Sequence, residues 1–237
     1  MNSIIRALLA ISLSLFLTAC PKTIRPPPKP AEPTVPGEVP TGDLRGATVY
    51  EVSAKDSDIR ILVYRAGTLA RFGHNHVMTA AGLTGKVWIN PAMEKSGLQL
   101  SFPVGQLVVD DPAARKASGD DFPPDIPAAD RDGTRKNMLR PEVLDGEHFP
   151  TITLRSVKVS GTASAPHILT HVTIKDAGHD VDVPAKVAVE GSKLTASGEF
   201  DIKQTDFGIK PFSVGLGTLS VKDELHVSFK VVALRKG

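Results

Sequence analysis

Cysteine is almost absent from this chain. Of 237 residues only Cys20 carries a thiol, so no intrachain disulfide can form, and stability must come from packing and backbone hydrogen bonds. Net charge is also nearly absent. It is +2 with histidine neutral, which leaves no electrostatic case for a nucleic-acid partner. Aromatic residues are 5% of the chain against 41% hydrophobic, so the core must be built from Val, Leu, Ile and Ala. No Gly-x-Ser-x-Gly elbow and no spare thiol is present. Enzyme signatures are therefore missing, and a non-enzymatic role without a cofactor is expected.

The first apolar run, Ala7–Leu17, has eleven residues. That is too short to span a bilayer and suits the core of a signal peptide, with Arg6 as its positive flank. It ends in Leu17-Thr18-Ala19-Cys20, which resembles a bacterial lipoprotein signal. The resemblance implies removal of residues 1–19, leaving an acylated Cys20 as the new N-terminus. Several acyl chains hold a protein stably at a membrane where one does not. The expected location is the periplasm, anchored to the cell envelope. Pro21 stands where an Asp would signal inner-membrane retention, which favours the outer membrane. Eight prolines then fall between Pro21 and Pro40. Such a segment cannot build a core and reads as an extended tether. Residues 20–45 are thus anchor and spacer, and residues 46–237 the folded domain.

From about Gly46 apolar and polar residues alternate. Val181, Val183, Ala185, Val187 and Val189 form one row; Leu194, Ala196, Gly198, Phe200 and Ile202 another; Leu225, Val227, Phe229, Val231 and Ala233 a third. Period two with one wet face predicts antiparallel strands. They are expected near 47–54, 58–66, 82–90, 96–104, 150–160, 167–176, 180–190, 193–203 and 217–234. Ile152 and Leu154 change parity to Val157 and Val159, which predicts a bulge near Arg155–Ser156. Glu190-Gly191-Ser192-Lys193 reads as a tight hairpin. Residues 128–146 lose the alternation and predict one or two short helices, whereas 110–127 predict a long polar loop. Strands with a single apolar face must close into a barrel or stack as a sandwich. Their small and medium inward residues favour a barrel with a cavity.

Residues 71–77 read RFGHNHV. In extended backbone His74 and His76 share a face, with Phe72 and Met78 continuing the row. Three readings are open. The row can line a ligand mouth, the histidines can begin a metal site, or the backbone can satisfy them near a barrel end. The metal reading needs a third ligand, and no spacing in the sequence supplies one. With a reference pKa near 6.5, the pair would make binding sensitive to mild acid. Arg135, Lys136 and Arg140 form a basic cluster that would suit a phosphate head group or merely face solvent. Asp110-Asp111 and Asp120-Asp121 lie in the polar loop and are expected to be solvent-exposed. Asp206-Phe207-Gly208 is expected to be a strand-end corner, with Asp206 capping local backbone, Phe207 packed inward and Gly208 at an unusual backbone angle.

Three stretches, in order, resemble the YceI-like family of bacterial periplasmic proteins. The first is Arg135–Arg140, with Leu144-Asp145 and His148-Phe149-Pro150-Thr151-Ile152-Thr153-Leu154 after it. Next comes His179–Pro184. The last runs through Ala196–Ile202, Gln204-Thr205-Asp206-Phe207-Gly208-Ile209 and Val221–Ala233. The resemblance implies an all-β fold, an eight-stranded antiparallel lipocalin-like barrel with a short helical insertion. It further implies a polyisoprenoid or other long amphipathic lipid inside. On this view the ligand-binding candidates are Phe72, His74, His76, Met78, Phe200, Phe207, Arg135 and Arg140, and the role is storage, transport or sensing. The alternatives are a metal-binding protein or enzyme using His74 and His76, or a structural envelope lipoprotein with a filled core. An exposed edge strand would also let two copies pair as a homodimer.

Overall fold

The computed structural model describes residues 44–235. The signal segment, Cys20 and nearly all of the tether lie outside the described residues. The described chain forms β1 (Thr48–Val52), β2 (Asp58–Ala66), β3 (His76–Ala80), β4 (Thr84–Ile89), β5 (Gly97–Pro103) and β6 (Leu107–Val109). Helices α1 (Pro112–Ala117) and α2 (Ala128–Met138) follow. The chain then returns to strands: β7 (Thr151–Gly161), β8 (Pro166–Ile174), β9 (Ala177–Pro184), β10 (Lys186–Glu190), β11 (Lys193–Lys203), β12 (Ser213–Val214) and β13 (Leu219–Leu234).

All the pairings are antiparallel and join one sheet, ordered β6-β3-β2-β13-β1-β4-β5-β7-β8-β9, with β11 on the other edge of β13 and β10 beyond it. The all-β reading holds, but the strand count is thirteen rather than eight. Three strands, β3, β6 and the two-residue β12, lie where none was expected. They are too short, at five, three and two residues, for alternation to show. The expected 180–190 strand is two strands, broken at Ala185. The Ala185 amide still donates to Pro166 O of β8 at 3.0 Å, and from Lys186 the pairing passes to β11. The first helix lies in the expected loop, started by Asp111, whose Oδ1 accepts from the amides of Ala113 and Ala114 at 2.9 Å. Pro112 opens it at a position where a missing N–H costs nothing. In β7 the register shifts between Ser156 and Lys158, which puts the bulge at Val157, one residue past the predicted spot. The Gly191-Ser192 turn is a two-residue hairpin with Glu190 opposite Lys193. Gly191 supplies its φ of +61°, which side chains rarely adopt.

The ladder does not close all the way round. Strands β9 and β10 run on as one bent unit. Before Ala185 it pairs with β8, and after it with β11, from Lys186 opposite Ser197. Beyond that point, among the described residues, no ladder joins β9 to Gly198–Lys203. The two backbones meet closely at one place. A Cβ on Gly198 would lie 2.3 Å from Pro184 O. At the hairpin end Tyr50, Leu194 and Ala233 pack as a small buried cluster; the main cluster runs along the interior from Val231 to Phe207.

Gly198→Ala should therefore force the seam apart. The expected loss is about 2 kcal/mol or more in urea unfolding; an unchanged midpoint would show that the seam relaxes freely.

Candidate functional site

The inward faces of the sheet enclose two cavities in series. An inner chamber of about 150 Å³ is lined mostly by aliphatic side chains, with Trp88, Phe102, Phe200 and Phe229 as its aromatics. An outer chamber of about 180 Å³ lies toward α2. Ile61, Ile152, Ile174 and Ile202 line both. They form an isoleucine collar where one chamber passes into the other. The outer chamber differs in kind. Along with Met78, Leu107, Met138 and Phe207 it is lined by His76, Thr134, Asn137 and Gln204. Helix α2 places Thr134 and Asn137 there, and the Gln204 amide is fixed by donating to Lys222 O at 2.7 Å. One end of the interior is thus almost wholly apolar, with Ser96 and Thr170 its only hydroxyls, and the other carries several hydrogen-bonding groups. A cavity near 150 Å³ left unfilled would cost on the order of 4 kcal/mol at the measured cost per unit of cavity volume.

His76 reaches the outer chamber from the first residue of β3. Its Nδ1 lies 2.7 Å from Asp110 Oδ2. Asp110 is fully buried and sits in left-handed backbone, φ 53°. Its Oδ1 accepts from the Val77 amide at 2.8 Å and from Arg115 Nη1 at 2.5 Å. Arg115, also fully buried, further donates from Nη1 to Asn75 O at 2.6 Å and from Nε to Pro123 O at 2.7 Å. Burial pushes the Asp110 carboxyl up, but the bonds from His76, the Val77 amide and Arg115 outweigh it and leave its pKa below the ordinary carboxylate value. An ionised Asp110 only accepts, so His76 carries its proton on Nδ1 and a neutral ring turns Nε2 out as an acceptor. His74 stands against His76, ring centroids 4.7 Å apart, and its Nε2 is buried without a protein partner. Burial first, then the neighbouring His76, pull the His74 pKa below its usual value.

Asn75, between the histidines, points elsewhere. Its Oδ1 accepts from the Arg65 amide at 3.0 Å and its Nδ2 donates to Asp121 O at 3.1 Å. It staples the loop so that the two imidazoles meet. This arrangement corrects the expectation for Asp110-Asp111. Neither is an idle exposed carboxylate. Asp110 anchors the site and Asp111 caps α1. Asp120 and Asp121 are exposed, as expected.

The remaining candidates divide. Met78 and Phe207 line the outer chamber and Phe200 the inner. Phe207 is 2% exposed and Gly208 takes φ +67°. The cap at this corner is Asp223, accepting from Thr205 N–H at 2.9 Å and Thr205 Oγ1 at 2.7 Å, rather than Asp206. Phe72 does not join the inward row. It is 69% exposed, because a 3-10 turn at Ala70–Phe72 breaks the strand parity assumed from Phe72 to Met78. Nor do the basic residues face the interior. The Arg135 guanidinium is taken up by Leu107 O at 2.6 Å and Gly105 O at 2.5 Å. Arg140 lies past the end of α2, exposed, 3.9 Å from Glu142.

His74, His76 and Asp110 bring one ligand atom each within 4.8 Å of one another, so the fold supplies the third ligand missing from the sequence. The set still suits a cation poorly. Both Asp110 oxygens are already engaged, one of them by a buried guanidinium whose fixed positive charge opposes a dication.

The model of the YceI-like domain matches residues 50–233. Among solved structures the chain is similar to BcnA of Burkholderia cenocepacia, with TM-score 0.57 and 18% identity over 77% of this chain and 99% of that one. It is also similar to a polyisoprenoid-binding domain from Saccharophagus degradans implicated in plant cell wall breakdown. There the TM-score is 0.54 and the identity 12%, over 80% of this chain and 99% of that one. No curated protein matches it significantly.

Two outcomes follow for the polar cluster. Asp110→Asn leaves Arg115 buried without its anion and should cost about 3–5 kcal/mol in urea unfolding, whereas Asp110→Leu combined with Arg115→Met should cost less than Asp110→Asn alone. Below about pH 6.5 the unfolded chain takes up a proton that folded His74 resists, so stability falls as pH drops through that range. The urea midpoint should decline between about pH 7.5 and 5.5, and decline less in His74→Gln.

Proposed function

The chain belongs to the YceI-like family, and on that premise we propose that it binds one long-chain amphipathic lipid, tail inward. The observation that carries this reading is the isoleucine collar between an almost wholly apolar chamber and one with several hydrogen-bonding groups. A polyisoprenoid or fatty-acid-like chain fills the inner chamber, where each enclosed CH₂ contributes about 0.8 kcal/mol. Its polar end rests in the outer chamber near His76, Thr134, Asn137 and Gln204. His76, its Nδ1–H given to Asp110, has Nε2 left for the head group, which suits a hydroxyl. The role is binding rather than catalysis, and serves lipid storage, transport or sensing. Acylation at Cys20 and the proline-rich tether hold the domain in the periplasm at the envelope, at the outer membrane by the residue after the cysteine.

Lipid extraction and mass spectrometry of protein purified from its native host should recover a long-chain lipid at near one per protein. Ala196→Phe, which narrows the inner chamber, should lower that content at least tenfold while circular dichroism and thermal unfolding still show a folded domain. Empty wild-type protein that also fails to bind polyisoprenoid or fatty acid in titration sinks the reading. For the anchor, Cys20→Ser should move the protein out of the membrane fraction.

A further inference from the structure

The two most exposed large apolar side chains of the described surface, Phe72 and Leu216, lie at one end of the sheet, with Leu69 and Val214 beside them. Leu69 and Phe72 follow β2 and are 42% and 69% exposed; Val214 and Leu216 precede β13 and are 46% and 107% exposed. The two loops are laced together. The Leu69 amide donates to Thr218 O at 2.8 Å, Gly67 packs so tightly that a Cβ would lie 2.5 Å from the same oxygen, and a Cβ on Gly73 would lie 3.0 Å from Leu219 Cδ1. They form one tip.

Leu216 is the clearest signal. Gly215, Leu216 and Gly217 are consecutive left-handed residues, φ 57°, 56° and 87°. Glycine adopts that backbone freely, but a leucine there is an outlier. The loop thus holds a bulky apolar side chain fully in water, in a conformation it disfavours. Neither feature helps the isolated domain, and both make sense if Leu216 enters an apolar medium.

Charge identifies the medium. Residues 65–74 and 208–222 contain Arg65, Arg71, Lys210 and Lys222 and no Asp or Glu. Just beyond, Asp223 is an ionised carboxylate held on Thr205, so the basic stretch ends there and four bases stand against one acid. The Arg71 guanidinium lies 4.8 Å from the Phe72 ring centroid, a cation carried beside an aromatic at one level. Apolar points ringed by bases are the pattern that lies in the headgroup region of anionic lipid. A second copy docked tip to tip would instead oppose like charges. Phe212 and Val221, flanking the same loop, line the outer chamber. We propose that this tip docks on an anionic lipid surface, with Phe72 and Leu216 inserted and the four bases against phosphates, so that the outer chamber faces the membrane. The surface is read from the loops alone and does not depend on what the chambers hold.

Single tryptophans report insertion in the full chain, where native Trp88 is buried. The reporters are Phe72→Trp and Leu216→Trp. The control is Val189→Trp, at the other end of β13, about 50 Å away for 16 residues. With vesicles of phosphatidylglycerol and phosphatidylethanolamine carrying brominated acyl chains, tryptophan at 72 and 216 should shift to the blue and be quenched, while tryptophan at 189 should not. Phosphatidylcholine vesicles should produce at least fivefold less quenching, and so should Arg71→Glu with Lys210→Glu on anionic vesicles. Equal signals at 216 and 189 would overturn the proposal, because an N-terminal anchor alone would produce them. So would no signal at 216, or self-association in sedimentation that Leu216→Ser abolishes without altering vesicle quenching.

Discussion

Strand β13 hydrogen-bonds along both edges, and the rest of the domain hangs from it. On one side Leu234–Glu224 pair with the whole of β11; on the other Lys230–Ser220 pair with β2 and Leu234-Ala233 with the end of β1. A domain without disulfides needs such a spine, since nothing covalent limits its unfolded state. The same strand spans the interior end to end. Ala233 belongs to the packed cluster at one end, Val231, Phe229 and Val227 line the inner chamber, and Leu225 and Val221 line the outer. The gradient from packed, to apolar and hollow, to partly polar is therefore set along one continuous element.

The polar end of that gradient is costly to build, and the structure shows how the cost is met. A carboxylate, a guanidinium and an imidazole share one buried network in which almost every donor has an acceptor. Burying the charges separately would cost several kcal/mol each. Joined, they hold His76 in one tautomer and one orientation. The fold thereby presents a defined acceptor to the cavity rather than a mobile side chain. The helical insertion supplies the other half of that chamber through Thr134 and Asn137. This gives α2 a structural purpose different from a basic face for phosphate. Its Arg135 braces the β6 edge instead.

Much of the sheet is legible in the sequence because its strands have one wet face. Residues 193–203 alternate over their whole length and 225–231 through the middle of β13, so these strands, their inward rows and the Gly191-Ser192 hairpin can be read directly. Strands β3 and β6 cannot, since three or five residues seat too few side chains for a period to emerge. The start of α1 is legible in retrospect. Asp111-Pro112 is a capping residue followed by proline at the first helical position, and the surrounding prolines hide it. The candidate site is legible only in part. The histidine pair stands out by spacing, and Met78, Phe200 and Phe207 lie on the cavity wall. Phe72 is misplaced by the turn before Gly73, where the period of two does not yet apply.

What the sequence determines by itself is class and pattern: an all-β domain behind a proline-rich segment, walled by small aliphatic residues, without disulfides and with a histidine pair near one strand. These are local properties, set by composition and by a period that adjacent residues share. Only the tertiary structure decides which polar residues meet. Asp110 is 34 residues from His76, and nothing near either one encodes their contact. The collar of Ile61, Ile152, Ile174 and Ile202 draws on four strands, and the apolar tip joins loops about 145 residues apart. Such groupings depend on strand register and on loops crossing at one end of a sheet. They come into being when β13 pairs on both its edges.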